Sequence, residues 1–247
     1  MTKRISLKTN QLTRRFGKFV AVNMVSIEVH QGEIFGFLGA NGAGKTTLIR
    51  MLCGLLEPSE GTATIAGYDV YHQAEAIKKN IGYMSQRFSL YQDLTVEENI
   101  DFYGGIYGLP KPLIESRKNA FLERVELNQF KKVMTKDLPL GFKQRLALGC
   151  ALIHDPPILF LDEPTSGVDP EARRNFWNLL YETVEQGKTI FVTTHFMDEA
   201  EYCHRVGFMR EGKLVATGTA SYLKEVYRKS TMQEVFLTLS RAKEKVS

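Results

Sequence analysis

The chain has 247 residues, 43% of them apolar and 24% charged, which fits one large α/β domain with a substantial core and excludes a low-complexity chain. Its formal net charge is only +4, unevenly distributed, with basic clusters at both ends. No uncharged apolar stretch approaches the ~20 residues of a spanning helix, the longest being residues 146–153, so the chain is expected in the cytosol and any membrane role requires a partner that supplies the helices.

From the N-terminus, Met1-Thr2-Lys3-Arg4 is basic, but Ser6, Lys8, Thr9, Asn10 and Gln11 interrupt any signal-peptide core. Lys3, Arg4, Lys8, Arg14, Arg15 and Lys18 all precede the first acidic residue, Glu28, and residues 241–247 are basic again. Such a surface faces phosphate groups or anionic lipid, or is a solvated face. No recognition motif is interleaved among these cations, so nucleic acid is not an expected partner.

Ile34-Phe35-Gly36-Phe37-Leu38 reads as a buried strand, and Leu48, Met51, Leu52 and Leu55 recur at helical spacing soon after it. Between them lies Gly39-Ala40-Asn41-Gly42-Ala43-Gly44-Lys45-Thr46, with Thr47 next. Glycines here let the backbone turn tightly and aim N–H groups inward, and the helix N-terminus adds partial positive charge. Lys45 reaches β- and γ-phosphates and the Thr46 hydroxyl ligates Mg²⁺, so the chain is expected to bind a nucleotide. No Asn-Lys dipeptide, the usual start of a guanine-reading segment, occurs anywhere. Phe16, upstream in Arg15-Phe16-Gly17-Lys18-Phe19, is placed to stack on adenine or to pack in the core.

Strand-like runs follow at 81–84, 158–161, 190–192 and 206–209, and helical patterns precede residue 154, span 171–185 and cover 219–228. That alternation predicts a mostly parallel sheet covered on both faces. Between about 88 and 150 the pattern turns helical, with Thr95-Val96-Glu97-Glu98 as a capping-box start, and reads as an insertion in the α/β core. Near the C-terminus Thr231 and Glu234 form another capping box, after which Met232, Val235, Phe236 and Leu239 share one helical face. Docking of that face on its own domain is expected over docking on a partner.

In open α/β sheets ligands bind beyond the carboxyl ends of the strands. Gln86, Asp162, Glu163 and His195 all stand where apolar runs end, on the same edge as the glycine-rich loop. A buried strand ending in two acids needs a cation or strong hydrogen bonds. Asp162 suits Mg²⁺ beside Thr46, and Glu163 is placed to orient or deprotonate an attacking water. His195 contacts a γ-phosphate or is a satisfied histidine at a strand end. Cys53 and Cys150 fall on apolar helical stretches and read as packed thiols, and Cys203-His204 with His195 lacks metal-ligand spacing.

Together these segments resemble the ATP-binding subunits of ABC transporters over nearly the whole chain. Residues 39–46 look like their Walker A, Tyr83-Met84-Ser85-Gln86 their Q-loop and residues 158–163 their Walker B. Ser166-Gly167-Val168-Asp169 resembles the D-loop, Thr194-His195 the switch, and Phe16 the adenine-stacking aromatic. The resemblance implies a P-loop NTPase fold, an ABC-type ATPase domain with a mostly parallel RecA-like α/β core, an N-terminal antiparallel β portion and a helical subdomain insertion. It would place the core at about 1–87 and 155–228, the helical subdomain at 88–154 and a helical tail at 230–247. It implies ATP and Mg²⁺ as cofactors, with Glu163, His195 and Lys45 catalytic, and Thr46, Gln86 and Asp162 near the metal. Nucleotide contacts would come from Phe16, Gly39, Ala40, Asn41, Gly42, Ala43, Gly44, Lys45, Thr46, Thr47, Gln86, Gly141 and Asp169. A transmembrane permease and a second ATPase subunit, identical or homologous, would be the partners, on the cytoplasmic face of the membrane.

One segment departs from the family pattern. Leu138-Pro139-Leu140-Gly141-Phe142 stands where Leu-Ser-Gly-Gly-Gln is usual, before Lys143-Gln144-Arg145. Pro139 offers neither the hydroxyl nor the N–H of serine, and Gly141 at a helix start keeps an amide that can face an anion. This variant, with the ending Ser230-Thr231-Met232-Gln233-Glu234-Val235-Phe236, is similar to ATPases of bacterial ABC-2-type drug exporters. The other reading is a soluble ABC-type ATPase driving a cytosolic assembly or nucleic-acid process. Those proteins usually carry tandem ATPase domains, a coiled-coil insertion or zinc modules, and none is visible here.

Overall fold

The computed structural model describes residues 4–86 and 89–241. Lys3 and the basic side chains from Arg241 onward, noted above, lie outside what is described. Strands β1 (Ile5–Phe16), β2 (Phe19–Val25) and β3 (Glu28–His30) open the chain, followed by β4 (Ile34–Leu38) and helix α1 (Lys45–Leu52). Next come β5 (Glu60–Ile65), β6 (Tyr68–Asp69), α2 (Ala74–Asn80) and β7 (Ile81–Met84). Helices α3 (Val96–Ile106), α4 (Lys111–Arg124) and α5 (Leu140–Leu152) then stand before β8 (Ile158–Asp162). The chain closes with α6 (Pro170–Glu185), β9 (Thr189–Thr194), β10 (Arg205–Arg210), β11 (Lys213–Gly218), α7 (Ala220–Tyr227) and α8 (Met232–Arg241).

The main sheet has the order β11-β10-β4-β9-β8-β7 and is parallel except for β11. Every residue of β4, β8 and β9 is buried, as strands covered on both faces must be, which is why these runs are apolar without alternation. β1 pairs antiparallel with β2, β3 and β5 in a second sheet, so the fold is a P-loop α/β core with an antiparallel N-terminal portion. β1 carries exposed polar residues between its buried ones, and neither β1 nor β2 is predicted individually by periodicity.

Helix α1 is shorter than its apolar spacing predicts. It ends at Leu52, with Cys53 as its cap, because Gly54 turns the chain at φ +66°. Leu55, expected on the helix's apolar face, is instead 52% exposed. A Cβ at residue 54 would press at 3.2 Å on Ala74, so glycine serves both the turn and the approach of α2. The capping boxes at Thr95/Glu98 and Thr231/Glu234 both form. Met232, Val235 and Leu239 are buried against the chain's own core, and Phe236 stands 6.3 Å from Phe208, so the α8 stripe docks at home.

Two of the N-terminal cations are paired with carboxylates and a third with a backbone carbonyl. Lys8 pairs with Glu28 at 2.6 Å and Arg15 with Glu60 at 3.0 Å, while Arg14 donates to the Glu57 carbonyl at 2.7 Å. No helix among the described residues is long and apolar enough to cross a membrane.

Candidate functional site

The glycine-rich loop runs from the end of β4 to the start of α1. Gly44 adopts φ +105°, and a Cβ there would meet the Ala21 carbonyl oxygen at 2.2 Å. Only glycine allows β2 to pass this close. Behind the loop, the Gly212 N–H donates to the Ala43 carbonyl at 3.0 Å. No side chain caps α1 and no acid occupies its first turn, so its positive end stays open to an anion. Phe19, Ala21, Asn41, Gly42, Gly44, Lys45, Thr46, Thr47, Gln86 and Glu163 line the adjoining cleft of about 410 Å³.

Lys45 is buried. Its Nζ donates to the carbonyls of Gly39 at 2.8 Å and Ala40 at 3.2 Å and pairs with Glu163 Oε1 at 3.1 Å. Asp162, buried at the end of β8, accepts from Thr193 Oγ1 at 2.7 Å and from Thr46 Oγ1 at 3.4 Å. The next residue turns sharply: Glu163 has φ +50°, a conformation that costs on the order of 1–3 kcal/mol outside glycine and that clusters at functional sites. Its N–H is held by the Thr193 carbonyl and hydroxyl at 3.1 and 3.0 Å. The second carboxylate oxygen, Oε2, accepts from Gln86 Nε2 at 3.3 Å and meets His195 Nδ1 at 3.0 Å.

Glu163 is therefore the hub of the site, touching Lys45, Gln86 and His195 from three different segments. The four strand-end residues do converge beside the loop. Two neighbours were not singled out from sequence. Thr193 bridges both acids, and in sequence it is one of three threonines in β9 with nothing to set it apart. Phe19 is the second.

Two aromatic side chains, Phe16 and Phe19, stand at the turn between β1 and β2. Phe16 ends β1 half-exposed beneath the Arg14 guanidinium, 4.7 Å from the ring centroid. Its cross-strand partner Phe19, 65% exposed, lines the cleft. Phe19 reaches the cleft because its strand, β2, is the one whose Ala21 approaches Gly44. Gly141 and Asp169 also stand apart from the phosphate-loop cleft. They share a separate hollow with Pro139, Phe142 and Arg145, where Asp169 accepts from the N–H groups of Glu171 and Ala172 and caps α6. Pro139 precedes α5, which has no side-chain cap.

The oxygens of Thr46 and Asp162, 3.4 Å apart, are hard donors of the kind Mg²⁺ takes alongside phosphate oxygens and water. Among the described residues no three His, Cys, Asp or Glu side chains cluster as a self-sufficient metal site. All three cysteines are free and buried, and burial pushes their thiols well above the ordinary range. Tyr83 on β7 is raised to about 12, first by burial and then by Cys53 and Asp162.

Residues 22–166 match the family model described as ABC transporter. The chain is 48% identical over 238 residues to the probable multidrug ABC transporter ATP-binding protein YbhF of Escherichia coli (strain K12), covering 94% of this chain and 41% of that protein. It is 39% identical over 213 residues to the Nod factor export ATP-binding protein I of Cupriavidus pinatubonensis, covering 86% and 66%. The chain thus spans less than half the length of the first relative and about two thirds of the second. Among solved structures, the ATP-binding subunit of an ABC transporter superposes with a TM-score of 0.85 at 28% identity, covering 94% of this chain and 98% of that one.

Proposed function

The chain belongs to the ABC transporter family, and from that membership we propose that it hydrolyses ATP to power export through a separate transmembrane permease. The observation that carries the chemistry is the contact set of Glu163 with Lys45, Gln86 and His195 beside an open helix N-terminus.

The residues divide the work. Backbone N–H groups of residues 39–44 and the start of α1 cradle the phosphates, with Thr46 and Thr47 beside them. Lys45 exchanges its contact with Glu163 for the β- and γ-phosphates, which frees the carboxylate. Glu163 then takes a proton from the water that attacks the γ-phosphorus, as the bond from that phosphorus to the bridging oxygen breaks and ADP leaves. His195 holds Glu163 Oε2 and stands ready for the γ-phosphate. Thr46, Asp162 and Gln86 would hold Mg²⁺, which when bound neutralises phosphate charge.

Gly141 and Asp169 lie away from the cleft of their own chain, so they serve nucleotide only across an interface with a second ATPase subunit. That arrangement supports dimer closure on ATP as the power stroke. Tyr91 and Phe102 meet edge to face at 4.4 Å, and both are exposed, as is Ile106 one turn further along α3. An exposed apolar face of this kind suits a permease segment and supports a position on the cytoplasmic side of the membrane. The multidrug and Nod factor export names of the relatives favour an exported small molecule.

Pull-down from detergent-solubilised membranes, paired with phosphate release by the purified chain, tests the proposal. Recovery of an integral membrane protein and Mg²⁺-dependent turnover are expected. Turnover with only soluble or ribosomal partners would move the chain to the soluble-ATPase class.

A further inference from the structure

Glu199 is completely buried, an expensive place for a carboxylate that no step above employs. It lies in a short turn of 3-10 helix, Asp198–Tyr202, four residues beyond His195. Its Oε1 accepts from Thr165 Oγ1 at 2.6 Å, and Thr165, itself buried, follows Glu163 by two residues. The same oxygen meets Arg173 Nε of α6 at 3.7 Å. Arg173 in turn lies over the Phe196 ring at 4.1 Å, and the Phe196 and His195 rings are 4.2 Å apart.

We propose that Glu199 is a positioning residue for hydrolysis, a latch that keeps the segment carrying His195 in register with the segment that follows Glu163. The inference rests on the ATPase reading of that site. Two continuous routes tie the segments together. One runs from Glu199 to Thr165 and back along the chain to Glu163. The other runs from Glu199 through Arg173 and Phe196 to His195, whose Nδ1 closes the circuit on Glu163 Oε2 at 3.0 Å. The residues after Glu163 are also held from the opposite side, where buried Gln144 of α5 donates to the Pro164 carbonyl at 2.7 Å. Glu199 thus bears on the stretch that joins the hydrolytic carboxylate, the switch histidine and the α5 start.

The latch is not fully closed. Glu199 Oε2 and Arg173 Nε are both buried without a hydrogen-bond partner among the described residues, although the pair lies within ion-pair range. Arg173 also reaches Asp198 Oδ2 at 3.6 Å. A small movement of the 3-10 turn toward α6 would convert the 3.7 Å approach into charge-assisted hydrogen bonds. That movement would carry His195 with it, so the unmet pair gives the switch segment a second arrangement to adopt.

The test compares Glu199→Gln, Thr165→Val and Thr165→Ser in the full chain. Steady-state ATP turnover, nucleotide affinity, thermal melting and the His195 ring resonances of histidine-labelled protein at constant pH are all read. Glu199→Gln and Thr165→Val are each expected to lower kcat by about tenfold or more through misplacement of His195 and Glu163, with KM and melting temperature little changed. Both are expected to shift or broaden the His195 resonances. Thr165→Ser keeps the hydroxyl and is expected to stay within about twofold of wild type. Unmoved His195 resonances in Glu199→Gln and Thr165→Val overturn the proposal, as does a loss of stability with kcat per folded molecule intact. Should the wild-type chain hydrolyse no ATP, the proposed function fails, and the His195 signal still decides whether the latch exists.

Discussion

Replacing Glu163 by glutamine separates binding from chemistry at the hub of the site. The substitution is isosteric, so the φ +50° turn and the N–H contacts to Thr193 remain. What disappears is one buried negative charge, 3.1 Å from Lys45 Nζ and 3.0 Å from His195 Nδ1. Lys45 keeps its two carbonyl partners at 2.8 and 3.2 Å and is easier to recruit to phosphate, since no carboxylate competes for it. Nucleotide affinity should therefore hold or rise. An opposing-charge hydrogen bond is worth about 1.5–3 kcal/mol, which bounds the gain. Hydrolysis should fall by about 10²–10⁴-fold, the scale of a general base, and an ATP-bound dimer should accumulate. Phosphate release at saturating Mg·ATP measures the rate, and sedimentation in ATP measures the dimer. Near-normal turnover would falsify the assignment of Glu163 as base and make His195 the next residue to test.

Other outcomes follow from other parts of the structure. His154 stacks on Tyr107 with centroids 3.5 Å apart and bonds through Nε2 to the Ile81 carbonyl at 2.9 Å, and burial depresses its pKa to about 4. It is neutral when folded and protonated when unfolded across the interval from about 6.5 down to about 4. The unfolded state binds the extra proton there, so stability falls as pH drops through that window. Allowing for partial exposure, the loss is about 2 kcal/mol, and denaturant titrations of His154→Phe at pH 7.5 and 5 should show a flatter pH slope than wild type. For the base platform, Phe19→Ala should weaken binding of a fluorescent ATP analogue by ~1–3 kcal/mol and Phe16→Ala by less. The reverse order returns the role to Phe16. Pro139→Ser restores a hydroxyl ahead of the uncapped α5, so it should strengthen ATP-dependent dimerisation when hydrolysis is blocked. Sedimentation showing no gain would mean that the segment lies out of reach of nucleotide.

The phosphate-loop chemistry was readable from sequence because it depends on residues adjacent in the chain. Gly44, Lys45 and Thr46 act through one turn of backbone, and a glycine at φ +105° leaves its mark as a glycine. The convergence of Gln86, Asp162, Glu163 and His195 was readable one level up, from the rule that parallel strands deliver their ends to one edge. Contacts that depend on which neighbour arrives were not. Phe16 and Phe19 are three residues apart and chemically alike, and only the path of β2 over Gly44 brings Phe19 to the cleft. Thr193 looks like any strand residue until β9 lies beside β8 and sets its hydroxyl on Asp162. The end of α1 was overrun because Leu55 keeps the helical spacing after Gly54 has already turned the chain. Glu199 was illegible for the same reason as Thr193, since its meaning comes from Thr165 and Arg173 on other segments.

The central claim is that this chain converts ATP to ADP and phosphate at the cleft beside residues 39–46. Phosphate release by the purified chain, measured against Mg·ATP concentration for wild type and Lys45→Ala, tests it most directly. Saturable, Mg²⁺-dependent release by wild type is predicted, with both affinity and turnover collapsing in Lys45→Ala while the fold survives. Equal rates for the two proteins, or no turnover by a wild-type chain that is folded and paired with its permease, would contradict it.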